Sequence, residues 1–415
     1  MTRAVDEFLK DRITSEEFRY PKSMRPNYER DAGDVPQGVE AAALRQFTLV
    51  RLMAYGVEPG DATRLLEAVA EGASWDGAAL RMSSQLRHRQ DTGRVRGSLS
   101  SALEQEYYTR RSALLRISQT MVAENTDTRQ SIYLEAARLF ARAKRLDERY
   151  RAHTITTSEG ALHAWEIKPP GNNPRGVVLV HGGVDGWAMD WDGLGLQIAA
   201  EGFIALVLDG PGQGQSRFTH GTYLRTNWIQ AYGAVIEYMR ELAEAEVPLF
   251  AVGNSMAAGM MLQIQSVYGA FDGVCSNGPV KDMSKLFAKR TYAVKLASFC
   301  GKSVSPEVAR NTFRTIDLSP ERVRQTTPVL LLQGDEDPMV TVSDGHAVLD
   351  WTDSADPYFA LFERGEHVIN RFPADKHMLI RSWLNELAHK RTSRIGTLPE
   401  SSTKSLRGYD NDILK

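Results

Sequence analysis

The sequence predicts an α/β protein: a mostly parallel sheet with helices on both faces, preceded by a helical N-terminal domain. Three observations predict it. Apolar residues recur at three- and four-residue spacings from Val39 to about Arg149, as on the buried faces of amphipathic helices. After Tyr150 the apolar residues instead form short continuous runs, the pattern of strands buried on both faces, most of them separated by helical stretches. The chemically distinctive motifs all fall just behind those runs, where open α/β sheets place their sites.

Composition narrows the function classes first. The 415 residues are 42% hydrophobic and 25% charged, enough apolar material for a sizeable core. Fifty Lys+Arg against 52 Asp+Glu leave a formal charge of −2, which gives no basis for binding nucleic acid or an anionic membrane surface. No apolar run reaches the roughly 18 residues of a membrane span. The opening MTRAVDEFLKDRI has no apolar core of a secretion signal. Cys275 and Cys300 are too few for a disulfide framework or a thiolate metal site, so the expectation is a reduced, cytoplasmic protein.

Taken in order, residues 1–150 read as the helical domain, its first 35 or so residues forming an irregular arm. Phe47, Val50, Met53 and Ala54 make one apolar stripe; Leu134, Ala137, Leu139 and Phe140 belong to another. Helix starts are expected after breaks at Glu58-Pro59-Gly60, Asp91-Thr92-Gly93 and Asn125-Thr126-Asp127. Residues 151–395 read as the sheet domain. A hairpin is expected from Ala152–Thr157 and Ala161–Ile167, then strands at Val177–Val180, Phe203–Leu208, Pro248–Val252, Gly273–Cys275, Pro328–Leu332 and Tyr358–Phe362. Helices are expected at Trp228–Glu244 and His377–His389, a helical insertion at about 279–327, and a loose tail over 396–415.

Four segments carry chemistry. Pro248-Leu-Phe-Ala-Val-Gly-Asn-Ser-Met-Ala-Ala-Gly259 is a strand running through a turn into a helix, a setting that exposes the Ser255 hydroxyl at a helix N-terminus, although Ala257 stands where glycine is more usual. A serine needs a histidine to take its proton and a carboxylate to fix that histidine's tautomer. Asp337, at the Gly-x-x-Asp position of Gly334-Asp-Glu-Asp, and His367, in Glu363-Arg-Gly-Glu-His, follow successive strands in the required order. Asp335 and Glu336 read as solvated, His346 and His377 as surface residues. Val177-Val-Leu-Val-His-Gly-Gly183 is a strand entering a turn able to offer an oxyanion a backbone N–H from Gly182 or Gly183, with the N–H of Met256 as second donor. His181 there reads as structural, not as a metal ligand. Asp209-Gly-Pro-Gly-Gln-Gly-Gln-Ser216 lacks the Lys-Ser/Thr of a P-loop and the spacing of a dinucleotide site, and reads as a tight surface turn near the site mouth.

In that order, over residues 150–390, these motifs resemble the α/β-hydrolase superfamily. The helical N-terminal region and Gly182-Gly-Val-Asp-Gly-Trp-Ala-Met-Asp190 are similar to the group containing 2,6-dihydroxypseudooxynicotine hydrolase, the fungal yellowish-green polyketide-shortening hydrolases and the fermentation–respiration switch protein. The resemblance implies a Ser255–Asp337–His367 triad that cleaves a carbon–carbon bond beside a carbonyl in a small 1,3-diketone or acyl-aromatic, polyketide-like substrate, without metal or cofactor, in a chain that can form a homodimer. It also implies an acidic substrate-polarising residue near Asp282, for which a helix cap is the competing assignment. Asp185, Trp187 and Trp191 are candidate substrate contacts, with Trp228 and Tyr232 as further aromatic lining. A carboxylesterase or acyltransferase would use the same triad, and a regulatory binding protein could keep the scaffold without needing catalysis.

Overall fold

The computed structural model describes residues 39–243, 246–318, 327–354 and 356–395. The expected N-terminal arm and the 396–415 tail lie outside them, as does part of the 279–327 insertion.

Among the described residues six helices come first: α1 (Val39–Gln46), α2 (Leu49–Ala54), α3 (Pro59–Ala70), α4 (Trp75–Val95), α5 (Ser101–Ser118) and α6 (Asp127–Lys144). Their starts follow local chemistry. Thr48, Glu58, Ser100 and Thr126 each accept a backbone N–H of the first turn, satisfying donors that a helix end leaves bare. Two details depart from the sequence reading. The chain breaks at Thr48, so Phe47 and Leu52 are buried while Met53 is 43% exposed, and the expected stripe does not form one face. No break occurs at residues 91–93; α4 runs through them and ends at Gly97, whose φ of +64° supplies the left-handed residue that stops a helix.

The sheet follows: β1 (Tyr150–Thr157), β2 (Gly160–Ile167), β3 (Val177–His181), α7 (Asp192–Ala200), β4 (Ile204–Asp209), α8 (Gly214–Phe218), α9 (Ala231–Ala243), β5 (Leu249–Asn254), α10 (Met256–Tyr268), β6 (Gly273–Asn277), α11 (Arg290–Cys300), α12 (Pro306–Phe313), β7 (Val329–Gly334), α13 (Val342–Thr352), β8 (Pro357–Phe362) and α14 (Pro373–Ile395). Strand order is β1-β2-β4-β3-β5-β6-β7-β8, with β1 and β2 antiparallel to their neighbours and the rest parallel. Every residue of β3 to β7 is buried, as continuous apolar runs require, while β8 at the edge is half-exposed.

The helical region has its own apolar core around Phe47, Leu52, Leu65, Trp75 and Leu114. Its last helix belongs elsewhere: Tyr133, Ala137 and Phe140 of α6 pack into the core of the sheet. Polar links also cross between the two. Arg116 of α5 pairs with Asp190, Gln130 donates to the carbonyl of Phe218, and Gln46 donates to Asp185. Among the described residues, no helix is long and apolar enough to cross a membrane.

Candidate active site

The turn between β5 and α10 holds Ser255 at φ 57°, ψ −117°, a strained conformation for a residue with a side chain. Its own N–H donates to the carbonyl of Asn277 (2.8 Å), which ties the turn to β6. The N–H of Met256 opens α10, and the first N–H groups of a helix have no partner within it.

Asp337 and His367 come from the loops after β7 and β8. His367 Nδ1 donates to Asp337 Oδ2 (2.8 Å), and Ser255 Oγ lies 2.8 Å from His367 Nε2. The Nδ1–H···carboxylate bond leaves Nε2 as an acceptor, so the serine hydroxyl donates to it. The other Asp337 oxygen accepts the N–H groups of Met339 (2.8 Å) and Val340 (3.0 Å), and its side chain is wholly buried. Asp335 and Glu336 are exposed, with Glu336 paired to Arg371.

The histidine loop is strained as well. Val368 and Ile369, both β-branched, sit at φ 64° and 54°, at a cost of about 1–3 kcal/mol each. Val368 is held there through its carbonyl, which accepts from Asn277 Nδ2 (3.2 Å) and from the buried ammonium of Lys376 (2.8 Å). Burial pushes the Lys376 amine down to about 7, with Glu366 opposing it. His377 beside it is also buried, contrary to the surface assignment, because residues 376, 377, 380 and 384 form the inner face of α14. The adjacent polar residues Lys376 and His377 disguise that face in the sequence. Burial, then Lys376 and Arg381, push the His377 imidazole down to about 3. His346 is exposed and stacks on Phe359.

Beneath the site, the Gly-rich segment after β4 is a buried support and not the expected surface turn. It wraps the Asp209 carboxyl, which accepts the N–H groups of Ala188 (2.9 Å) and Gln215 (2.8 Å). A Cβ on Gly214 would meet that carboxyl at 2.1 Å, so glycine is required. Burial pushes the Asp209 carboxyl up to about 7 despite those two N–H groups. Gln213 of the same segment donates to the carbonyls of Gly182 (2.9 Å) and Gly183 (2.7 Å). In a trans peptide the N–H points opposite its C=O, so the N–H groups of Gly183 and Val184 face away from Gln213. Gly183 abuts Ser255, whereas Gly182 packs on Gly186 and Trp191. His181 is buried and neutral, donating to the Gly182 carbonyl and accepting from Tyr232; burial pushes its ring down to about 4.

A cleft of about 400 Å³, counting its open mouth, lies over Ser255 and His367. Its walls include Asp185 and Trp191, together with Arg51, Tyr55, Tyr292 and Met339, which sequence reasoning did not single out. Arg51 and Tyr55 come from the helical region and Tyr292 from the insertion, so both roof the cleft. Trp187 does not line it; its ring packs between Tyr133, Phe218 and Phe299. Trp228 and Tyr232 are likewise packing residues, edge to face with each other. Asp282 lies outside the cleft and accepts the N–H of Ser284, capping a short helical turn. Its distance in sequence from any anchoring motif is what left that assignment open. Among the described residues, no group of three or more His, Cys, Asp or Glu is arranged to hold a metal ion.

No protein-family model matches the sequence, and no curated protein matches it. Solved structures do. 2,6-Dihydroxy-pseudo-oxynicotine hydrolase superposes with a TM-score of 0.69 at 16% identity, over 82% of this chain and 96% of that one. The chain has the α/β-hydrolase fold. Wild-type AbyA5 superposes with a TM-score of 0.65 at 16% identity, over 86% of this chain and 97% of its own; a second AbyA5 structure gives 0.59 at 15%, over 78% and 93%. These coverages extend beyond the 245 positions of the sheet region and take in helices of the N-terminal region.

Proposed function

We propose that the protein is a serine hydrolase with Ser255, His367 and Asp337 as its triad, and that it cleaves a carbon–carbon bond beside a ketone. The observation that carries this reading is the unbroken chain Ser255–His367–Asp337, with both links at 2.8 Å. Such a chain makes a serine nucleophilic by giving its proton a base and that base a fixed tautomer.

The steps follow from the geometry. Ser255 Oγ forms a bond to the substrate carbonyl carbon as its proton passes to His367 Nε2. The carbonyl oxygen becomes an oxyanion facing the N–H groups of Met256 and Gly183; Gln213 aims the latter by holding both neighbouring carbonyls behind it. The carbon–carbon bond then breaks, and its electron pair leaves as an enolate that takes the proton from His367. Water adds to the acyl-enzyme, giving His367 a proton that returns to Ser255 Oγ as the acid departs. The sum is ketone plus water to acid plus a new C–H bond. Support for carbon–carbon over ester cleavage comes from the resemblance of the motifs and of the domain layout to the pseudooxynicotine-hydrolase group.

Mass spectrometry of purified protein with 1-phenylbutane-1,3-dione and longer aryl 1,3-diketones tests the reading. The expected result is an acid and a ketone appearing with wild type and absent with Ser255→Ala. Equal consumption by both proteins rules the triad out. Rapid hydrolysis of 4-nitrophenyl esters with diketones untouched would instead make the protein a carboxylesterase.

A further inference from the structure

The cleft over Ser255 contains a cation whose donors are not used up within the protein. Arg51, on α2, has a side chain only 16% exposed, with its guanidinium over the rings of Phe47 (4.7 Å) and Tyr55 (5.4 Å). Nη1 donates to the carbonyl of Gln46 (3.0 Å) and Nη2 to the hydroxyl oxygen of Tyr55 (3.3 Å), while Nε is buried without a hydrogen-bond partner. The nearest carboxylate is Asp185, 4.0 Å away, and it is already engaged: Lys295 donates to one oxygen and Gln46 Nε2 to the other (2.9 Å).

The charges at this end of the cleft therefore do not cancel. Arg51 and Lys295 face one carboxylate, that of Asp185. Burial alone would raise the Asp185 carboxyl, yet Lys295 and Arg51 outweigh it and hold the group below its usual range. Asp190 adds no free negative charge, because Arg116 neutralises it. Asp337 is turned towards His367 at the other end. A buried guanidinium with a spare N–H costs stability unless an anion completes it. Two phenols stand beside it as further donors. The Tyr55 oxygen accepts from Arg51, which leaves its proton to give. Among the described residues, the Tyr292 hydroxyl has only the Met339 sulfur as a partner (3.8 Å), and burial pushes its phenol up to about 12, so it stays protonated.

We propose that Arg51, with the hydroxyls of Tyr55 and Tyr292, binds an anionic oxygen pair on the substrate, apart from the carbonyl that Ser255 attacks, so that the enzyme selects acidic substrates: carboxylates or ionised 1,3-dicarbonyls. A guanidinium fork matches either, since both spread one charge over two oxygens. This deepens the hydrolase reading and rests on it for the identity of the cleft, but its test is separable.

The assay is inhibition of 4-nitrophenyl butyrate hydrolysis at pH 7.5 by two matched pairs. Benzoate against benzamide probes the carboxylate; 5,5-dimethylcyclohexane-1,3-dione, ionised at this pH, against 3,3-dimethylcyclohexanone probes the enolate. Wild type is expected to bind at least one anion about tenfold more tightly than its neutral partner, the scale of one charge-assisted hydrogen bond. Arg51→Gln should bring that ratio to within about twofold of one, and Arg51→Lys should keep part of the preference. The pair that shows the preference identifies the acidic group. Equal inhibition by anion and neutral partner in wild type overturns the proposal without any variant, as does a preference that survives Arg51→Gln. Ester turnover that persists unchanged in Ser255→Ala refutes the triad instead, and a wild type without ester turnover removes only this assay. Quenching of tryptophan fluorescence by the same four compounds then still reads anion selectivity directly, because Trp191 lines the cleft.

Discussion

Replacing Gly183 by alanine puts a methyl group against the nucleophile. An ideal Cβ at this position lies 2.7 Å from Ser255 Cβ, 3.0 Å from the Asn254 carbonyl oxygen and 3.2 Å from Ser255 Oγ. Carbon atoms rest at about 3.5–4.0 Å, so a gap of about 1 Å has to open. Neither side yields easily. Gln213 holds the carbonyls of Gly182 and Gly183, and the Ser255 N–H is bonded to Asn277. A displacement of about 1 Å at a reacting centre costs about 10²-fold in rate, and misaiming one oxyanion donor costs about 10²–10³-fold. The expected fall in kcat/KM for 4-nitrophenyl butyrate is therefore about 10²–10³-fold, with Tm read in parallel. Gly193→Ala is the control: it is an exposed residue of α7 with nothing within 4 Å of its Cβ, and should stabilise by about 0.5–1 kcal/mol. A Gly183→Ala protein within threefold of wild type would refute the placement of the oxyanion loop.

Asp337→Asn should keep the fold but present the wrong tautomer of His367, lowering kcat by about 10⁴-fold; steady-state kinetics read it, and a loss under tenfold would remove Asp337 from the triad. Asp190→Asn leaves the Arg116 guanidinium buried and uncompensated between the helical region and the sheet, so urea unfolding should show about 3–5 kcal/mol of destabilisation. Acid stability follows from His377. The unfolded chain takes up its proton near 6.5 but the folded chain only near 3, so the neutral ring's contribution is whole above pH 6.5 and is lost as pH falls towards 3. At pH 5 wild type should have lost about 2 kcal/mol through this group, at 1.36 kcal/mol per pH unit. His377→Gln should show a correspondingly shallower decline of stability between pH 7 and 5, and parallel curves would count against burial of the neutral ring.

Much of the sheet was legible in the sequence because its determinants are local. A strand buried on both faces must be a continuous apolar run, and Val177–Val180, Ile204–Leu208 and Val329–Leu332 are such runs. Turns that force backbones together need glycine and small residues, so Gly253-Asn-Ser-Met-Ala257 announced its own geometry. Where the reading missed, the residue types alone did not separate two possible outcomes. Gly93 and Gly97 are equivalent in composition, yet only Gly97 takes the positive φ that ends a helix. Lys376 and His377 look solvated by type, but the face of α14 they share with Ile380 and Leu384 is turned inward. The Gly-rich segment after β4 suggested an exposed turn until Asp209 and the Gly182–Gly183 carbonyls were seen to be what it wraps.

By itself the sequence determined the order of strands and helices and the residue types able to do acyl-transfer chemistry, since hydrophobic periodicity and turn stereochemistry act over a few residues at a time. Only the tertiary structure decided that Arg51, Tyr55 and Tyr292 share a cleft with Ser255, and that Gln213 sets the loop facing it. Nothing in the local sequence of those four marks them. Their environment comes from tertiary closure, over 30 residues between Gln213 and Gly183 and about 200 between Arg51 and Ser255, and it is that closure that buries Arg51 beside the cleft.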